Sequence, residues 1–124
     1  MIDAADVIAD LLARGHRVRF QARGDSMHPA IRDDDYLEVE PLGDGPVRRG
    51  EIVVMLADRG LTVHRVLAQR GDQVFARGDN APADDPPLHR SRVIGRVAGV
   101  ERDGRIRKVR PSVWRAALIR WLRR

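Results

Sequence analysis

A mainly β fold follows from three features of this 124-residue chain. Short runs of alternating apolar and polar residues recur along it, clusters of Gly, Pro and Asp separate them, and helical periodicity is confined to the two ends. Near the N-terminus, Val7, Ile8, Leu11 and Leu12 fall on one helical stripe, with Asp3 as N-cap and Gly15 as stop, which predicts a short amphipathic helix. From Val18 the period becomes two: Val18, Phe20 and Ala22 alternate with Arg17, Arg19, Gln21 and Arg23, as in a half-buried strand. A turn-rich break covers 24–35. Further strands are predicted over 36–40, 51–57, 61–68, 73–76, 93–100 and 105–109, and Asp58-Arg59-Gly60 is short enough to close a hairpin. Residues 78–87, GDNAPADDPP, carry too much Pro and Asp for regular structure.

The last stretch, 111–124, reads as a second helix with Ser112 near its start. Trp114, Ala117, Leu118, Trp121 and Leu122 share one face, and Arg115, Arg120, Arg123 and Arg124 point elsewhere. At about 1.5 Å per residue it is roughly 20 Å long, too short to cross a bilayer. Two readings stay open: the Trp face packs on the protein's own sheet, or Trp114, Leu118 and Trp121 lie at headgroup depth with Arg120 and Arg123 against anionic lipid. The expected organisation is one β domain with its N-terminal helix over 1–110 and a basic amphipathic helix over 111–124.

Composition narrows the chemistry. Without cysteine there is no disulfide framework, thiolate metal site or thiol nucleophile. The net charge of +5 is uneven: residues 101–124 hold nine of the 23 bases and two of the 18 acids, so the first 100 residues are about neutral. Lys108 is the sole lysine, and arginine does not deprotonate usefully in a protein. The four histidines show no pair at zinc spacing, so neither metal nor cofactor is expected. With no long apolar run and an acidic N-terminus, the expectation is a cytoplasmic protein without signal peptide or membrane span, touching a membrane at most peripherally.

The segment Gly24-Asp25-Ser26-Met27-His28-Pro29 ends an alternating strand in a tight change of direction. Such a turn can hold a hydroxyl clear of the sheet beside backbone N–H groups, as an oxyanion hole requires. A serine there is also an ordinary turn former. Downstream, His64 lies within a predicted strand, a rigid mount for a general base, and it could equally be a hydrogen-bonded strand histidine. His28 is too close to Ser26 in the same turn, and His16 and His89 fall in loop or helix-end positions.

Taken together these segments resemble the signal peptidase I and LexA-type serine peptidases. GDSMHPAI with the following Asp33-Asp34-Asp35-Tyr36-Leu37-Glu38-Val39 looks like the nucleophile box, Arg49-Gly50-Glu51-Ile52-Val53-Val54 is similar to the next strand, and Val63-His64-Arg65-Val66 falls where these families carry Lys-Arg or His-Arg. Gly78-Asp79-Asn80, Asp84-Asp85 and Val93-Ile94-Gly95-Arg96-Val97 resemble the later boxes of the signal peptidases. The likeness covers about 18–100 and implies the complex β-fold of that group. Bacterial signal peptidases and LexA-type enzymes use a Ser–Lys dyad, whereas His64 resembles the Ser–His signal peptidase branch.

By that resemblance Ser26 is the nucleophile, His64 the general base, Asp85 the acid that orients His64, and Asp79 a supporting acid. Gly24 stands where many bacterial signal peptidases carry a hydroxyl residue, so the oxyanion hole would rely on backbone donors around Gly24 and Ser26, chiefly the Ser26 N–H. The implied function is cleavage of a peptide bond in a precursor or leader peptide. The alternatives are a non-catalytic module that docks on membrane or nucleic acid through its basic C-terminal segment, and a LexA-like self-cleaving regulator. Nucleic acid is the weaker partner, because no aromatics are interleaved with Arg102, Arg105, Arg107 and Arg110 to stack bases.

Overall fold

Four consecutive apolar residues, Ile52-Val53-Val54-Met55, are each exposed by 2% or less, so the strand that carries them is covered on both faces. Side chains alternate along a strand, and Ile52 and Val54 enter one core with Leu12, Leu37, Val39, Val97 and Val100. Val53 and Met55 enter a second core with Val66, Val74, Ala76 and Val93. In the computed structural model, which describes residues 4–111, this strand is β3 (Ile52–Ala57).

The chain opens with α1 (Ala4–Ala13) and continues through β1 (Val18–Gln21), β2 (Tyr36–Pro41), β3, β4 (Gly60–Arg70), β5 (Gln73–Arg77), β6 (Leu88–His89), a 3₁₀ turn (Arg90–Arg92), β7 (Val93–Arg102) and β8 (Arg105–Lys108). All strand pairs are antiparallel, in the order β1-β2-β7-β3-β4-β5-β6, with β8 on β7. Register shifts at Glu38/Val39, Val54/Met55 and Val66/Ala68 bend this sheet. The mainly β architecture is therefore as the sequence predicts.

Gly15 ends α1 as expected. With φ +86° it lets its own amide reach Leu12 O and that of His16 reach Leu11 O, the paired bonds of a left-handed cap. The predicted stripe is only half used: Ile8 and Leu12 pack on the core, while Val7 and Leu11 stay 45% and 36% exposed. One narrow helix lying on a curved sheet presents one pair of those positions inward and turns the other pair toward solvent. Asp3 and the predicted 111–124 helix, with Trp114, Leu118, Arg120, Trp121 and Arg123, lie outside the described residues apart from Pro111.

Elsewhere the strands differ from expectation mainly at their ends. Ala22 leaves the β1 ladder but still exchanges backbone bonds with Asp34 and Asp35. Alternation along β4 holds through Val66, opposite Ala76, and breaks at Leu67, which the register skips. The pair β6 and the 3₁₀ turn is the element the sequence did not suggest; Leu88-His89 is too short to show a period. Among the described residues no helix is long and apolar enough to cross a membrane.

A buried ion pair fastens the far end of β7. Arg102 donates two hydrogen bonds, 2.9 and 2.7 Å, to Asp35, whose side chain is 3% exposed and also accepts the Arg32 amide. The Arg102 hydrogen bond, aided by the Arg32 amide and opposed by desolvation, holds the Asp35 carboxyl below the usual carboxylate range. A carboxyl depressed in the folded state stabilises fully above its unfolded pKa, and the contribution fades as pH falls through the folded one. Arg102→Met is thus expected to cost about 1–3 kcal/mol at neutral pH. The gap to the parent should close in acid, as read by chemical denaturation across a pH series; a gap independent of pH would assign Arg102 to packing alone.

Candidate active site

Ser26 sits in the turn between β1 and β2, held from below and from the side. Met27 and Ile31, each 3% exposed, plug the turn into the first core. Gly24, at φ +85°, turns the chain sharply and donates its amide to Asp33 Oδ1 at 2.7 Å. The Gly24 N–H therefore already has an acceptor and is not a free oxyanion donor. Among the described residues the Ser26 N–H meets no acceptor, which leaves it available to one.

His64 stands on β4 opposite Val53 and is 2% exposed. Its ring links two groups remote in sequence: Nδ1 lies 2.5 Å from Asp85 Oδ2, and Nε2 lies 3.1 Å from Ser26 Oγ. An ionised carboxylate only accepts, so the Asp85 contact assigns the proton to Nδ1 and leaves the Nε2 lone pair facing the serine hydroxyl. The three side chains singled out in the sequence thus form one hydrogen-bonded chain. Neutral imidazole in that tautomer can take a seryl proton, and the carboxylate stabilises the cation that results.

Asp79 holds a different position in this arrangement. Its oxygens accept from Arg65 Nε and Nη2, both at 2.8 Å, and the two side chains are 2% and 3% exposed. Arg65 also donates to Gly50 O, so Asp79 supports the site by tying its loop to β4. That loop in turn grips the Ser26 turn. The Asn80 amide donates to Ser26 O at 2.8 Å, Asn80 Nδ2 to Asp25 O, and the Asp79 amide to Met27 Sδ.

Gly78 and Asn80 are the residues that sequence reasoning left without a role, although both stand in the GDN box it singled out. A Cβ on Gly78 would lie 2.6 Å from Ser26 O and 3.0 Å from His64 Nε2, so only hydrogen fits between loop and dyad. Arg59 was likewise missed: from the β3–β4 turn its guanidinium lies 3.7 Å from Asp85 Oδ1. Lys108, exposed on β8, lines a separate groove with Ile52 and Arg65. Among the described residues no group of three or more His, Asp or Glu side chains is arranged to hold a metal ion.

The fold agrees with the comparisons to known proteins. The family described as Peptidase S24-like matches residues 3–98. This chain belongs to the peptidase S24-like family. It is also 40% identical over 94 residues to the LexA repressor of Syntrophomonas wolfei subsp. wolfei, a match that covers 75% of this chain and 45% of the repressor. The chain thus spans less than half the length of that relative. Within the matched S24-like region lie Ser26, His64, Asp79 and Asp85.

Gly78→Ala is expected to separate Ser26 from His64 beyond hydrogen-bond reach, because the added methyl must displace either backbone or ring, and to cost about 1–3 kcal/mol. The ¹⁵N shifts of the His64 ring and a crystal structure of the variant check this. Gly43→Ala, which meets nothing within 4 Å, should change neither.

Proposed function

We propose that this S24-like chain is a serine peptidase that uses Ser26 as nucleophile, His64 as general base and Asp85 as the orienting acid, rather than a Ser–Lys pair. The observation that carries the reading is the unbroken chain Asp85–His64–Ser26, at 2.5 and 3.1 Å, on a buried histidine. In this mechanism Ser26 Oγ attacks the scissile carbonyl as its proton passes to His64 Nε2. The Ser26 N–H donates to the oxyanion, and His64 then returns the proton to the leaving amine. Water attacks the acyl-enzyme through the same base.

A substrate in extended form suits the cleft. The 60–64 half of β4 pairs with β3 on one edge and, among the described residues, with no strand on the other, so a peptide can add there and bring its carbonyl to Ser26. The use of histidine aligns the chemistry with the Ser–His signal peptidase branch, and a precursor or leader peptide is the substrate class that branch implies. The similarity to a LexA repressor supports, as a second reading, a regulator that cleaves its own chain. Peripheral membrane contact through the 111–124 segment and a cytoplasmic site of action remain part of the proposal.

Ser26→Ala or His64→Ala is expected to lower peptide turnover by about 10⁴-fold or more, and Asp85→Asn by a comparable factor, with the thermal midpoint of Ser26→Ala little changed. Peptide cleavage followed by mass spectrometry, together with fluorophosphonate labelling of Ser26, measures this. A docking module without catalysis would show no labelling and a steep loss of partner affinity with salt.

A further inference from the structure

The cleft that holds Ser26 and His64 has an uneven lining. Its volume is about 560 Å³, and its walls include Ile8, Phe20, Leu61 and Val63, with Arg23 and Arg59 beside them; among the described residues that line it there is no Asp or Glu. Both arginines project into solvent, with side chains 74% and 69% exposed. Arg23 Nη1 donates to Asp34 Oδ1 at 2.8 Å in a pair whose acid is itself 62% exposed, an arrangement that holds a side chain only weakly. Among the described residues Arg59 has one ion-pair contact, to Asp85 Oδ1 at 3.7 Å, longer than a hydrogen bond. A guanidinium has five N–H donors in a planar fork that matches a carboxylate, so most of the Arg59 donors remain open to a ligand.

We propose that this cleft selects peptides with an Asp or Glu close to the scissile bond, and that Arg59 is the residue that reads that acid. The inference rests on the peptidase reading and names its substrate class. Position follows from the same carboxylate: Asp85 touches His64 through Oδ2 and faces Arg59 through Oδ1, so one carboxylate separates the guanidinium from the ring that meets Ser26. An extended peptide advances about 3.3 Å per residue, which places the selected acid within about three residues of the reacting carbonyl. An incoming carboxylate gains a paired contact with Arg59 in exchange for the long contact to Asp85, and Asp85 then serves His64 alone. Arg23 extends the same preference to a second acid along the cleft.

Two measurements on the full chain test this. In the first, Ser26→Ala protein is titrated with two fluorescent peptides that share an apolar frame and carry either Glu or Lys at the positions flanking the centre. Anisotropy is expected to show the Glu peptide at least tenfold tighter, with the preference reversed by adding Arg59→Glu and partly kept by adding Arg59→Lys. In the second, Ser26-intact protein cleaves a degenerate peptide mixture; the products should be enriched in Asp and Glu within three residues of the cut. Arg59→Glu should raise KM for acidic peptides far more than it lowers kcat.

Equal binding of the two peptides, or an acidic preference that survives Arg59→Glu, overturns the charge reading while cleavage of the mixture leaves the peptidase reading standing. Acidic preference in binding, with neither cleavage nor Ser26 labelling, overturns the peptidase reading and leaves Arg59 as an acidic-peptide binder.

Discussion

The arrangement of the site depends on one buried ion pair, Arg65 with Asp79. Taking both charges out of water costs several kcal/mol per ion, and their attraction offsets that only when the geometry is close and every donor has a partner. Here two parallel bonds of 2.8 Å join the fork to the carboxylate, and the remaining end of the guanidinium meets Gly50 O. Such a pair contributes position more than net stability. It fastens the 78–80 loop to the strand residue next to His64, and the loop then carries the Ser26 carbonyl on the Asn80 amide.

Adjacent residues of a strand point to opposite faces, so His64 and Arg65 have to find partners on two sides of β4. The irregular segment after β5 meets both needs because it leaves the ladder where Arg65 pairs with Arg77 and crosses the strand edge there. Asp79 reaches the Arg65 side and Asp85 the His64 side, while the Asp85 amide returns to Ala76 O. The Pro and Asp content of this segment, which rules out a regular element, is what lets the five residues between Asp79 and Asp85 span from one face to the other. Gly78 permits the tightest point of that crossing, since a side chain there would occupy the space between Ser26 and His64.

Other ion pairs repeat the pattern of holding ends rather than filling cores. Arg96 bridges Glu40 and Glu51, joining β2, β7 and the start of β3, and these hydrogen bonds hold its guanidinium still more firmly in the charged form. Arg102 with Asp35 closes the turn that follows Ser26. Arg65, Arg96 and Arg102 thus act as forks that tie a strand to carboxylates on neighbouring segments, with a geometry that a lysine point charge cannot reproduce.

Much of this was legible in the sequence, and the division has a physical basis. Periodicity of two and the Gly, Pro and Asp clusters between runs mark the strands, because these signals are local. The boxes around Ser26, His64 and Asp85 were legible for the same reason, each being a short string with its own chemistry. What the sequence could not carry was which groups meet across the fold: that Val7 and Leu11 stay outside, that the Gly24 amide is taken by Asp33, that Asp79 belongs to Arg65 and Asp85 to His64, and that Arg59 reaches the acid from a hairpin turn. Those pairings follow from sheet order and from the loop's path over the edge of β4. Tertiary structure alone decides them, since pairings between separate segments of the chain leave no trace in local spacing.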